Sequence, residues 1–351
     1  MKDERGLEMS SFAFNSQFSI FNSQLSCVAT IGSFDGVHRG HQCLLRQVRH
    51  IADERGMNAV AITFGTSPKK VLGMAGVPQL TSTEERIALL RQAGMDEVAV
   101  LDFTPQMAAM TARDFMQQVL KEQLYVAVLV IGYDHRFGRG RSEGFDDYVR
   151  YGREMGIEVV RGDACIEEGE PVSSTRIRSL LADGRVDEAT QLLGRPYALH
   201  GKVVGGYREG RKMGFPTANI CPLDGQQTTD KTCSCKLIPA DGVYAVWVDV
   251  DDNDDENDNE NDDAQSSKLK AHGSWLKGML NIGYRPTLNN GQERSIEVHI
   301  LDFEGDLYGK DITVEFAHRL REERPFASME ELVEQLQQDE ERVRELLVGK
   351  E

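Results

Sequence analysis

Long apolar runs are missing from this chain. No stretch approaches the ~18 uninterrupted apolar residues of a membrane-spanning helix, so no membrane partner is expected. No signal peptide is expected either. The N-terminus opens Lys2-Asp3-Glu4-Arg5 and continues in Ser, Asn and Gln around Phe12, Phe14, Phe18 and Phe21, with no apolar core or cleavage site of a signal peptide. Cysteine is sparse and unpatterned. Of six, only Cys233 and Cys235 lie close together, and their one-residue spacing is too short for a structural zinc knuckle. A reduced, cytoplasmic setting follows from that usage. Positive charge is in deficit: 40 Lys+Arg stand against 57 Asp+Glu, a formal net charge of −17. That excludes a general duplex nucleic-acid binder, which needs a broad basic face. Small anionic ligands remain open, because local donors hold them.

What is present is an ordinary globular composition, with 351 residues, 40% hydrophobic and 28% charged, enough for two or three domains. Residues 1–25 read as an extension, with Met9 an equally good start. From 26 onward, short β-branched runs (27–32, 59–64, 97–103, 126–132, 157–162) alternate with helical segments (40–55, 82–93, 111–124, 145–156). This alternation predicts a doubly wound parallel α/β sheet, with ligands beyond the carboxyl ends of its strands. A helical stretch over 174–193, broken at Asp183-Gly184, precedes a change of texture. Closely spaced strands (201–206, 242–250, 277–283, 295–303, 311–320) then predict an all-β antiparallel barrel or sandwich, closed by a helix over 328–347. The expected division is a domain over 26–184, a linker over 185–197 and a second domain over 198–351. Ten acidic residues between Asp249 and Asp263 make the insert 251–263 a solvated loop.

Two segments carry chemistry. In Thr30–His41 (TIGSFDGVHRGH) a strand end at Gly32 leads through Phe34, Asp35 and Gly36 into a helix start bearing His38 and His41. Free N–H groups at a helix N-terminus attract phosphate, and imidazoles there can donate to its oxygens as charge develops. His-x-x-His alone fits a βα turn with two surface histidines; the Gly-x-Phe-Asp-Gly-x-His frame after the first strand favours the phosphate reading. Ser173, Ser174 and Thr175, followed by Arg176 and Arg178, form a second anion-binding device at a helix start, or else a plain capped helix. The second segment, Gly201–Ile220, is glycine-rich (Gly201, Gly205, Gly206, Gly210, Gly214) and ends in Pro216-Thr217-Ala218-Asn219. Thr and Asn supply hard oxygen ligands suited to magnesium on phosphates. On the strand 295–303, Glu297 alternates with the apolar Ile296 and Val298; from spacing alone it is a solvated strand carboxylate.

These residues carry a resemblance. His38-Arg39-Gly40-His41 and Ser173–Arg178 resemble the two signatures of the nucleotidylyltransferase superfamily. Within it the chain is similar to the bacterial bifunctional riboflavin kinase/FMN adenylyltransferase family, over residues ~26–347. Gly132–Gly138 resembles that family's Gly-x-Asp-Phe-x-Phe-Gly, with His135 in place of the first Phe; Ser67 and Leu288 are further departures. Lys202–Asn219, Gly242–Tyr244, Asn281–Thr287 and Glu297–Phe303 follow its kinase module in order. The resemblance implies two sites using ATP. In one, Gly32, Phe34, Asp35, Gly36, His38, His41, Ser173, Ser174, Thr175 and Arg178 bind ATP, with His38, His41 and Arg178 catalytic, and Asp134 and Phe137 line the flavin side. In the other, Gly201, Lys202, Gly214, Pro216, Thr217 and Asn219 bind ATP, Thr217 and Asn219 hold Mg²⁺, Arg285 contacts flavin and Glu297 is the base. Riboflavin, FMN, FAD and ATP are the implied ligands; the oligomeric state stays open. The alternative is a riboflavin kinase or flavin-binding protein with weakened adenylyl transfer.

Overall fold

The computed structural model describes residues 25–66, 68–73, 77–163, 166–167, 170–206, 209–222, 236–250, 275–284 and 294–350. The expectations placed on 1–24, Ser67, Cys233, Cys235, 251–263, Arg285 and Leu288 lie outside these residues. The chain divides into two compact units, Met1–Ser174 and Thr175–Glu351. The sequence places a linker over 185–197. That stretch carries a helix, Val186–Leu193, whose Val186, Ala189, Leu192 and Leu193 are buried in the second unit.

The first unit runs β1 (Cys27–Ile31), α1 (Arg39–Arg55), β2 (Asn58–Phe64), α2 (Pro68–Val71), α3 (Thr83–Gln92), β3 (Glu97–Leu101), α4 (Pro105–Ala109), α5 (Ala112–Phe115), β4 (Val126–Ile131), α6 (Phe145–Met155) and β5 (Glu158–Arg161). A small hairpin, β6 (Ile166–Glu167) and β7 (Glu170–Pro171), ends it. The five main strands form one parallel sheet in the order β3-β2-β1-β4-β5. Every residue of β1 is buried, as a central strand covered on both faces requires. Alternate residues feed two cores: Ala29, Ile31 and Ile62 pack with Met107, Phe115 and Tyr148, while Val28, Ala61 and Val130 pack with Leu45, Val48 and Leu90. The helix expected over 111–124 winds differently. After Ala112–Phe115 it continues as a π-helix over Met116–Lys121, burying Met116, Val119 and Leu120; apolar spacing does not distinguish these windings.

In the second unit, α7 (Ser174–Ala182) and α8 (Val186–Leu193) lead into β8 (Tyr197–Val204), α9 (Glu209–Lys212), β9 (Ala218–Pro222), β10 (Gly242–Val250), β11 (Leu276–Tyr284), β12 (Arg294–Ile300), β13 (Asp311–Arg321) and α10 (Met329–Leu346). The strands close a barrel in the order β10-β11-β12-β9-β8-β13, deciding between barrel and sandwich. Its interior takes alternate residues, among them Leu199, Val246, Leu280, Val298, Val314 and Phe316, all nearly inaccessible. The helix α10, capped by Ser328 accepting from Glu331 N, packs Val343 and Leu347 on the outer face against Phe215, Ala245, Met279 and Leu301. Arg321 pairs with the buried Asp339 carboxylate at 2.8 Å and ties that helix to β13.

Candidate active sites

In the first unit the chain leaves β1 through a turn held in an unusual backbone. Phe34 and Val37 have φ of 46° and 36°, and Gly36 has φ of 84°. Non-glycine residues there cost of order 1–3 kcal/mol each and persist only when the surroundings overdetermine them. Asp35 supplies that determination. Its buried Oδ1 accepts from Leu80 N at 2.9 Å, Thr81 N at 3.1 Å and Thr81 Oγ1 at 3.2 Å, while Gly36 N donates to Thr81 Oγ1 at 3.1 Å. Asp35 therefore shapes the turn from below. Gly32 faces the buried Phe34 ring so closely that a Cβ would lie 3.1 Å from it.

The turn delivers His38 to the N-cap of α1, where its Nδ1 accepts from His41 N at 3.3 Å. The two imidazoles stack, with centroids 3.6 Å apart, and Phe34 meets His41 edge-on at 5.2 Å. Gly40 between them is required by space, since a Cβ would sit 3.1 Å from both His38 Nδ1 and Val172 O. Burial, with help from His38, His135 and Arg86, pushes the His41 pKa well below the ordinary 6.5, so the ring is neutral at pH 7. Its Nδ1 is buried without a hydrogen-bond partner. Ser174 Oγ donates to Asp35 O at 2.9 Å, fastening the start of the second signature to the turn of the first. Ser173 is exposed; Thr175 and the half-buried Arg178 continue along α7.

The loop after β4 completes this sheet end. Phe137 stacks on Tyr148 at 4.3 Å, and the Tyr148 hydroxyl accepts from Phe137 N and donates to Phe137 O. Phe137 lines an apolar cleft of about 60 Å³ with Ile31, Phe64, Met107, Met110 and Phe115. Asp134, in the same loop, is exposed. His135 sits at an intermediate depth, and burial, then Arg141, push its pKa down to about 4 against the opposing pull of Asp134.

Sequence reasoning passed over Arg86 and the Met107/Met110 pair. Arg86, buried on α3, donates to Ser33 O at 3.1 Å, Phe64 O at 2.8 Å and Thr83 Oγ1 at 3.2 Å, clamping the chain after β1 to the end of β2. The Ser82/Glu85 capping box marks its helix, yet an arginine on an amphipathic helix reads as solvated until the packing is known.

In the barrel, Glu297 on β12 lies opposite Asn219 of β9 and Asn281 of β11, so all three side chains share the outer face. Thr217 Oγ1 donates to Glu297 Oε2 at 3.2 Å, and Ser295 Oγ to Oε1 at 3.3 Å. His299, two residues on, donates Nδ1–H to Pro216 O at 2.8 Å and meets Phe215 edge-on at 5.4 Å, fixing the start of Pro216–Asn219. A Cβ at Gly206 would overlap the Asn219 amide, so the glycine allows that close approach. Gly201, by contrast, is buried in β8 with its Cα against Ile220 and Cys221; its lack of a side chain serves strand packing. Lys202 Nζ is engaged by Gly309 O at 3.2 Å and Asp311 at 3.1 Å. Gly214 has φ of 84° and open space around it. Ser295 and Asn281 had no role in the sequence reading; only the register places them beside Glu297.

Neither fold alone fixes a function; the histidine pair at a helix N-terminus and the Thr217–Glu297–Asn219 group on the barrel are the arrangements that point to transferases handling phosphate-bearing groups. A family model described as FAD synthetase matches residues 20–176, and one described as riboflavin kinase matches residues 193–347. Bifunctional riboflavin kinase/FMN adenylyltransferase of Escherichia coli K12 is 36% identical over 323 residues, 92% of this chain and 93% of its own. The protein of the same name from Listeria monocytogenes is 33% identical over 326 residues, 92% of this chain and 93% of that one. The crystal structure of a protein named macrolide-efflux protein, from Streptococcus pneumoniae, superposes with a TM-score of 0.77 at 32% identity, covering 93% of this chain and 96% of that one. Among the described residues, no helix is long and apolar enough to cross a membrane. The chain belongs to the bifunctional riboflavin kinase/FMN adenylyltransferase family.

Proposed function

We propose that this chain makes both flavin coenzymes, phosphorylating riboflavin to FMN in the barrel and adenylylating FMN to FAD in the α/β unit, with ATP as co-substrate of each. The observation that carries the reading is the Thr217–Glu297 contact, which joins a hydroxyl and a carboxylate across 80 residues of chain on the outer face of a closed barrel. There the riboflavin 5′-hydroxyl attacks the γ-phosphate of ATP, its proton passes to Glu297, and ADP leaves. Thr217 and Asn219 would hold Mg²⁺. The donors fit it: they are hard oxygens, and the Glu297 carboxylate lies beside both of them. When bound, the ion neutralises charge on the phosphate oxygens.

In the α/β unit the FMN phosphate attacks the α-phosphate of ATP and pyrophosphate leaves. The nucleophile is already ionised, so no covalent enzyme intermediate and no general base are required. Catalysis is positioning and electrostatics from the α1 N-terminus with His38 and the neutral His41. Ser173, Thr175 and Arg178 are assigned to phosphate binding by their signature, and Phe137 with its apolar cleft to the flavin side. The setting that goes with this activity is the cytoplasm.

Incubating the full chain with riboflavin, ATP and MgCl₂ and resolving products by chromatography tests the reading. FMN followed by FAD is expected; FMN alone restricts the chain to the kinase step, and absence of both refutes the proposal.

A further inference from the structure

One buried polar atom at the sheet end has no part in the reaction described above. The Nε2 of His135 is buried and makes no hydrogen bond. A desolvated imidazole nitrogen facing no partner is costly, and such atoms are retained where a ligand completes them. Its place in the topology says which ligand. His135 follows β4, which neighbours β1 in the sheet; the chain leaves β1 toward β2 on one side and reaches β4 by a crossover from β3 on the other. The β1/β4 crevice is therefore where the winding reverses, the location at which such sheets take their ligands. His38 and His41 border it from the β1 side, and His41 Nδ1 is a second buried nitrogen without a partner.

We propose that His135 is a substrate-binding residue of adenylyl transfer, donating Nε2–H to a phosphoryl oxygen from the β4 side of the crevice. This rests on the function proposed above. The charged groups acting on the ring are Arg141 and Asp134 from its own loop, and the ring in turn acts on His41 across the crevice. Arg141 is a cation, and the neutral ring adds a directed donor without adding like charge, which suits an anionic oxygen. The backbone holds the ring in place, with His135 N donating to Gly132 O at 3.0 Å and the Phe137 ring 6.3 Å away. A phenyl ring fills the same space and cannot donate.

The test uses the full chain with FMN and ATP, each varied against saturation of the other, in H135F and H135Q. Riboflavin phosphorylation by the same preparations serves as the fold control. H135F should lower kcat/KM for FAD formation about 10–100-fold, as loss of a hydrogen bond to a charged group does, and H135Q should recover to within about threefold. A rise confined to KM for ATP places the contact on the triphosphate; one confined to KM for FMN places it on the flavin phosphate. Should H135F melt early, H135N, whose amide is too short to reach, replaces it. Adenylylation by H135F (or H135N) within twofold of wild type overturns the proposal, and so does an equal loss in H135Q. A wild-type chain that makes no FAD instead sinks the functional reading itself.

Discussion

Replacing Glu297 with Gln exchanges one carboxylate oxygen for an amide nitrogen while keeping the side chain's shape. The carboxylate now accepts from Thr217 Oγ1 at 3.2 Å and from Ser295 Oγ at 3.3 Å. In the variant one oxygen still accepts, and the amide NH₂ donates to a hydroxyl that rotates to receive it. The structural cost is the lost charge assistance, about 1 kcal/mol, or a few degrees in the melting of the barrel unit. The catalytic cost is larger: removal of a general base lowers kcat by roughly 10²–10⁴-fold. Riboflavin phosphorylation, followed by chromatography, should therefore fall at least about 100-fold in kcat with little change in KM. FAD formation from supplied FMN should stay within about twofold, because His38 and His41 belong to the other compact unit. A kinase rate within about fivefold of wild type would refute the assignment of Glu297 as base. Equal loss of both reactions would refute the separation of the sites.

Three further outcomes are expected. In G40A the new Cβ, 3.1 Å from His38 Nδ1, displaces the imidazole by tenths of an ångström; FAD formation should drop about tenfold while phosphorylation is unchanged, which steady-state assays of both reactions check. D35A leaves Leu80 N and both Thr81 donors unsatisfied, so the α/β unit should lose about 3 kcal/mol, seen as a lower urea midpoint of its unfolding. His135 has a folded pKa near 4 against 6.5 unfolded, so below pH 6.5 the unfolded chain binds the extra proton. That contribution is complete above pH 6.5 and is lost as pH falls toward 4, at most ~3 kcal/mol over the window, and H135F should show a smaller fall in Tm between pH 7 and 5 than wild type.

Much of this protein was legible as pattern. The β-branched runs at 27–31 and 126–131 announce central parallel strands because a strand covered on both faces has no polar side to alternate with. The helix starts at Ser82 and Ser328 were readable from capping spacings alone, since a cap is a contact three residues long. Asp35 was readable as part of a motif, yet its work is to accept from Leu80 and Thr81, forty-five residues away. Glu297 shows the same limit: in one dimension it is a polar residue on an alternating strand, and the pairing of β12 with β9 puts it beside Thr217 and Asn219. Within the stretch expected as a linker, 185–197, the apolar stripe of α8 is buried in the second compact unit, which only packing could show.

Local chemistry along the chain, then, was enough to settle most elements and their order, because periodicity, caps and motif spacing are short-range and survive without a fold; the two reaction classes came from the resemblance of its motifs to a known family. Tertiary structure alone decided that the imidazoles at 41 and 135 are neutral, that Gly201 is a packing residue while Gly206 makes room for an amide, and that a buried arginine braces the first site. Each of those depends on desolvation or on contacts between segments far apart in the chain, and neither exists until the chain has closed on itself.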